Sequence, residues 1–344
     1  MVRILPENEL RKLAAKLPPR LGVRWPSTSG RDDEEGEHRA RDKGDAGRIA
    51  VVGGSEEYTG SPYFAAMTAL RCGADLVRVF CPPAAAQVIK EYSPDLMVHP
   101  CDWTAAQLDS CLNVWLPRMD AVVVGPGIGR SDDAKRAVQR TIELANQMTM
   151  PVVVDADALY FVSLNPQLVH KCGTAILTPN KRELSRLYDP MSDLQLLEAF
   201  GNDRSKLENA SVATRVSKAL DGPAVLSKGD VDTISHIGYE ATCSSLTSPR
   251  RCGGQGDILA GAVAVFAAWS HERPVSDSGT QGMDHYIDAC YGASLLTRHA
   301  AHAAFVRYRR SMAANDVVAQ IGSSFEELFP HDGRTPSDDF KSTL

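Results

Sequence analysis

Six short runs of β-branched and apolar residues recur along this chain, each followed by a longer stretch with helical spacing. That alternation constrains the fold more than any other feature. The runs lie at 48–52, 76–80, 121–124, 152–154, 175–177 and 224–227. Several are continuously apolar, as in AVVV and VVV, which is how strands covered on both faces read. Alternating β and α elements with buried strands predict an α/β fold: one doubly wound, mostly parallel central sheet flanked by helices on both faces. Ser61-Pro62 predicts a helix start, with Ser61 as N-cap and Pro62 at the first helical position, and Gly73 its end. The apolar run 258–269 falls short of the roughly 20 residues a bilayer needs, so it predicts a buried core helix and no membrane partner.

No internal repeat and no Pro/Gly linker interrupts residues 43–329, so one domain is expected there. An N-terminal helix and charged loop (1–42) are expected before it, and a flexible tail (330–344) after it. The segment 30–48 is dense in both charge signs and too poor in apolar groups to repay its ordering entropy. The 8 cysteines form no C-x-x-C pair, which removes the zinc-ribbon and thioredoxin-type readings. Dispersed cysteines in a chain of 344 residues read instead as small buried hydrophobes in a reducing compartment. The N-terminus lacks the apolar stretch of a signal peptide, and Glu7 and Glu9 weigh against a transit peptide. A cytoplasmic protein is expected, with a mitochondrial form left open. The net charge of −6 argues against nucleic acid as a partner, because a phosphate backbone demands a basic face.

In a doubly wound sheet, ligands bind at the carboxyl ends of the strands. The glycine-rich segments stand there: Gly53-Gly54-Ser55 after the first run, and Gly125-Pro126-Gly127-Ile128-Gly129-Arg130 after the third. A G-x-G-x-x-G fingerprint fails at Arg130, which disfavours a nicotinamide-dependent dehydrogenase. These glycines suit either tight turns or the close approach of a flat ligand. Asp155 and Asp157 follow the fourth run, as a helix cap or as carboxylates for a substrate hydroxyl. Asn180 and Glu183 follow the fifth. They suit a capping box, or oxygen ligands near a hydrated Mg²⁺. Lys228-Gly229 after the sixth run suits an exposed turn or a phosphate contact.

The most informative segment runs from Thr247 to Asp257, TSPRRCGGQGD, and leads straight into the apolar run. No G-x-x-x-x-G-K-[ST] P-loop exists. Gly253, Gly254 and Gly256 can nevertheless turn backbone amides inward at a helix start, where the dipole adds about half a positive charge. That is an anion hole for a transferring phosphoryl group. Asp257 would repel an anion, and makes sense as a base that takes a proton from an attacking hydroxyl. His299 and His302 have no third ligand nearby and read as packed or solvated.

GGQGD at 253–257 and Asn180-x-x-Glu183 resemble the ribokinase-like superfamily of small-molecule kinases. Seven segments are together similar to the ATP-dependent NAD(P)H-hydrate dehydratase family: 51–82, EYSPDLMVHP (91–100), VVGPGIGR (123–130), VVVDADAL (152–159), LTPNKREL (177–184), LSKGDVD (226–232) and SPRRCGGQGD (248–257). The resemblance implies that NADHX or NADPHX, the hydrated cofactors, are dehydrated with ATP and Mg²⁺, releasing ADP and phosphate. It implies that Gly127, Asn180, Lys181, Arg182, Glu183, Leu184, Ser185 and Arg186 contact the hydrate. Lys228, Gly229, Asp230, Val231 and Asp232 would contact ATP, together with Thr247, Ser248, Pro249, Arg250, Arg251, Cys252, Gly253, Gly254, Gln255 and Gly256. Asp257 would touch the substrate as the catalytic base, and Asn180 and Glu183 would meet Mg²⁺ through water. A functional link to an NAD(P)HX epimerase is expected, with the oligomeric state open. The alternative enzyme is a ribokinase-fold kinase of a small vitamin-precursor alcohol.

Overall fold

The computed structural model describes residues 3–15, 43–236, 238–271 and 285–330. The charged loop up to residue 42 and the tail from 331 lie outside the described residues. The strands are β1 (Arg3–Ile4), β2 (Arg48–Val52), β3 (Leu76–Cys81), β4 (Met97–Pro100), β5 (Ala121–Val124), β6 (Val152–Val154), β7 (Ala175–Leu177), β8 (Ala224–Ser227), β9 (Asp232–His236) and β10 (Tyr239–Cys243). They form one sheet in the order β1-β10-β9-β8-β7-β6-β5-β2-β3-β4. Neighbours from β8 through to β4 all pair parallel, whereas β8–β9 and β9–β10 pair antiparallel. The fold is therefore the mostly parallel, doubly wound sheet that the alternation predicts.

All six expected runs are strands, with β3 one residue longer than expected. Their continuous apolarity follows from burial on both faces. Ile49 and Val51 of β2 enter one core cluster and Ala50 and Val52 the other. The same alternation splits Ala121 and Val123 from Val122 and Val124 in β5. One cluster is covered by the helices Gly60–Arg71, Gln255–His271 and His285–Tyr308, and the other mainly by Ala105–Trp115, Asp132–Gln147 and Asp157–Leu164.

The apolar run at 258–269 lies in the helix Gln255–His271, in which every residue from Asp257 to Ser270 is buried. A helix apolar all round has to be enclosed on all sides. Gly261 lets it close on the helix Gly60–Arg71, since a Cβ there would stand 2.1 Å from the Ala65 carbonyl oxygen. Phe266 is fully buried in the same helix, so cutting it to alanine would cost about 3–5 kcal/mol. This packing fixes where the amino end of the helix points, and that end carries Asp257.

The helix Gly60–Arg71 begins earlier than expected, with Thr59 rather than Ser61 as N-cap. Proline fits anywhere in a first turn, where its missing N–H would have had no helical partner. Ser61 is thereby freed for another contact, described below. The other end is as expected, with Gly73 at φ +107 just past the last turn. No helix among the described residues is long and apolar enough to cross a membrane.

Candidate functional site

The carboxyl ends of β6, β7 and β8 bring three segments against the amino end of the helix Gln255–His271. At their centre is a buried ion pair. Lys228 Nζ lies 2.7 Å from Asp155 Oδ1. Thr178 at the end of β7 donates its hydroxyl to the same oxygen at 2.8 Å. Asp155 is buried, and Lys228 stands beside β7 because its N–H bonds the Pro179 carbonyl at 2.8 Å. The helix completes the enclosure: a Cβ on Gly256 would meet Lys228 Nζ at 3.2 Å and Asp155 Oδ2 at 3.8 Å.

Asp257 faces this pair. Burial, followed by the charge of Asp155, pushes its carboxyl up to about 7. A hydrogen bond from Ser61 and the charge of Lys228 pull the other way and lose. Burial also raises Glu183 above the ordinary carboxylate range, against the pull of Lys228. For Lys228, burial works against the charge, but Asp155 and Glu183 more than offset it and its affinity for the proton rises. Lys228 therefore stays cationic while Asp257 sits near neutrality, poised to take up or give up a proton. Ala156, between the two aspartates of the Asp155–Asp157 turn, has φ +51, a conformation a non-glycine residue adopts only when its surroundings enforce it.

The segment 247–256 organises itself through its own side chains. Ser248 accepts from the Arg250 N–H at 3.0 Å and donates to the Arg250 carbonyl at 2.9 Å. Arg250 Nε bonds the Met312 carbonyl at 2.8 Å, and Gln255 Nε2 reaches the Arg250 carbonyl at 3.4 Å. Cys252 packs against the core. Gly254 is required twice over, by φ +94 and because a Cβ would strike Ala314 and Phe64. Gly253 and Gly256 meet no backbone, and the first-turn amides of the helix have no helical partner by geometry. Thr247 is half-buried, while Pro249 and Arg251 are exposed. The opposite arm, 228–232, exposes Asp230 and Val231. Asp232 is different. Its buried carboxylate accepts from the Gly229 N–H at 2.8 Å and from Ser294 at 2.7 Å, so it shapes the arm from inside.

Asn180 and Glu183 form the capping box. Asn180 Oδ1 accepts from the N–H groups of Arg182 and Glu183, both at 3.0 Å, and Glu183 Oε2 accepts from the Asn180 N–H at 2.8 Å. The Asn180 oxygen is spent on the cap, which leaves Glu183 as the residue of the two whose charge reaches Lys228 and Asp257. On the same helix, Lys181, Arg182, Ser185 and Arg186 are exposed, whereas Leu184 is buried in the core. Among the described residues no three His, Cys, Asp or Glu side chains converge to hold a metal.

Gly127 is buried at φ +61, where a Cβ would stand 2.8 Å from Tyr58 Cβ and 3.1 Å from Ser61 Cβ. Asp157 pins the same loop, accepting from the Gly129 N–H at 3.2 Å and from Arg130 Nε at 3.0 Å. Sequence reasoning missed the Asp155–Lys228 pairing and the role of Ser61, because neither contact has a local signal. His299 pairs with Glu327 at 3.7 Å and takes no part in the site.

Comparison with known proteins gives the family. A family model described as NAD(P)H-hydrate dehydratase matches residues 49–322. An ATP-dependent (S)-NAD(P)H-hydrate dehydratase from Homo sapiens is 45% identical over 292 residues, covering 83% of this chain and 80% of its own length. Among solved structures, a ribokinase-like superfamily protein from Enterococcus faecalis aligns with TM-score 0.64 at 19% identity, over 95% of this chain and 97% of its own. An ADP/ATP-dependent NAD(P)H-hydrate dehydratase from Bacillus subtilis, crystallised with ATP and Mg²⁺, aligns with TM-score 0.58 at 16% identity, over 94% of this chain and 99% of its own. At those identities the two structures bear on the fold, which is ribokinase-like.

Proposed function

The chain is a member of the NAD(P)H-hydrate dehydratase family, and from that premise we propose that it restores NADH and NADPH from their hydrates with ATP, releasing ADP and phosphate. The observation that carries the chemical part is Asp257: a buried carboxyl held at about 7, at the start of a helix whose first amides are open, beside a lysine that stays charged. A base near the working pH is the efficient one.

In the proposed reaction Asp257 takes the proton of the ring hydroxyl, whose oxygen attacks the γ-phosphorus of ATP as ADP departs. Phosphorylation replaces a poor leaving group with a good one. Phosphate then leaves with the electrons of the carbon–oxygen bond, a proton leaves the neighbouring ring carbon, and the double bond is restored. Lys228 and the amides at Gly254–Gly256 face the charge that develops on the phosphoryl oxygens, and one such donor is typically worth about 10²–10³ in rate. The exposed polar face of the helix Lys181–Tyr188 and the loop at Gly127 would contact the hydrated dinucleotide.

The donor set also suits Mg²⁺. Glu183 is half-buried beside Lys228, whereas Asp155 is buried with Oδ1 taken by Lys228 and Thr178, and one or two carboxylates with substrate phosphates and water make the usual environment of that ion. Glu183 would hold it, and it would neutralise charge on the transferring phosphate. Hydration of the ring creates a stereocentre, and the relatives are named for the (S) form. A stereospecific site leaves the other epimer behind, so an NAD(P)HX epimerase belongs beside this enzyme.

The test is an incubation with ATP, Mg²⁺ and hydrated NADPH, following near-ultraviolet absorbance and free phosphate. Both are expected to rise in equal amounts. A stable phosphorylated product without reduced cofactor would assign the protein to the kinases of small alcohols instead.

A further inference from the structure

The two arms that would hold ATP, 228–232 and 247–256, are joined inside the protein, the second through the stretch just ahead of it, at a side chain outside every motif. Arg298, on the helix His285–Tyr308, is 6% exposed. Its Nε donates to the Ser245 carbonyl at 2.8 Å, in the stretch leading to Thr247. The other two nitrogens donate to the Gly229 carbonyl at 3.4 Å and the Asp230 carbonyl at 2.5 Å. The guanidinium also pairs with Asp232 Oδ2 at 3.3 Å. Asp232 in turn receives Gly229 N–H and the hydroxyl of Ser294, which is fully buried one turn before Arg298 on the same helix. One planar fork thus fixes the distance between the arms.

The arms also meet at the surface, where Arg251 bonds Asp230. Those side chains are 70% and 98% exposed, and such a pair is worth about 0–1 kcal/mol, too little to set a spacing. A buried Arg–Asp pair is no gain over apolar packing as a source of stability. Its distinctive property is that three of its bonds go to backbone carbonyls of the two arms, in a fixed geometry that the point charge of a lysine does not reproduce.

We propose that Arg298, supported by Asp232 and Ser294, is the positioning residue of the nucleotide site: it holds the two arms at the separation that admits ATP, without touching ATP itself. The assignment rests on the function proposed above. Loosening the fork displaces both arms, and a misplacement of about 1 Å in a binding geometry can cost up to about 10²-fold.

The experiment measures ATP binding by calorimetry, KM for ATP and for the hydrate, kcat, and the thermal midpoint, in the wild type, Arg298→Lys and Ser294→Ala. Arg298→Lys is expected to weaken ATP binding and raise KM for ATP by about 10-fold or more, with KM for the hydrate within about twofold of the wild type. Ser294→Ala, the milder change, is expected to do the same by about threefold with a thermal midpoint lowered by only a few degrees. The idea is overturned if both KM values rise together, or if Ser294→Ala and every folded Arg298→Lys sample bind ATP like the wild type. A wild type that binds no ATP overturns it too, and that result alone also removes the proposed function.

Discussion

The glycines after β2 and β5 and those at the amino end of the helix Gln255–His271 look alike in sequence and differ in what lies beside them. A Cβ on Gly53 would stand 2.3 Å from the Pro126 carbonyl oxygen, and one on Gly125 2.0 Å from that of Asp155. There the chain passes against itself. A Cβ on Gly256 would meet only the tip of Lys228 and Asp155, and one on Gly253 would meet nothing within 4 Å. Here no backbone closes on the glycine, and ATP is proposed to lie there. Glycine density at strand ends is thus a weak sign of a site, because close packing of two loops calls for the same residue.

The comparison can be sharpened by substitution, and the largest effect is expected at the residue the open loop presents. Asp257→Asn is expected to lower kcat by about 10³ or more while ATP still binds. The same change reports on stability. Because burial raises the folded carboxyl from 3.8 to about 7, its neutral form stabilises the protein at low pH, and that contribution is lost as pH rises through 7. Asp257→Asn is therefore expected to exceed the wild type by about 1–3 kcal/mol in urea unfolding at pH 8, and to match it at pH 4. Equal stability at both pH values would contradict the raised carboxyl.

Next comes the filled loop. Gly125→Ala drives a Cβ into backbone at φ +118 and is expected to lose at least about 3 kcal/mol in urea unfolding, or to fail to fold. Gly256→Ala should invert that outcome. It sits in a helix, where alanine gains about 1 kcal/mol in propensity, yet its methyl would press on Lys228. Turnover is expected to fall by about 10-fold or more at an unchanged or higher urea midpoint. If stability fell instead, Gly256 would belong with the packing glycines. The smallest effect is expected at Gly253→Ala, with stability within about 0.5 kcal/mol of the wild type.

Much of the fold was legible because β2, β5 and β6 are buried on both faces, which leaves little room for polar residues. β9 and β10 were not, since their sequences DTISH and YEATC mix polar and apolar residues, and in β9 the polar Asp232, Ser235 and His236 are buried all the same. β4, at MVHP, follows two apolar residues with a His and a Pro, so no apolar run marks it. In the site, the capping box and Asp257 could be read locally, from spacing and from the helix start. The Asp155–Lys228 pair could not, being 73 residues apart in the chain. Arg298 and Asp232 are likewise joined only by the fold: Asp232 closes the LSKGDVD segment, but Arg298 lies outside every motif.

The central claim is that burial beside Asp155 makes Asp257 a base near neutrality, and kcat/KM for the hydrated cofactor between pH 5 and 9 tests it most directly. A rising limb with its midpoint near 7 is expected, steepening to about tenfold per pH unit below it. A profile flat from 5 to 9, with the carboxylate already ionised throughout, would contradict it.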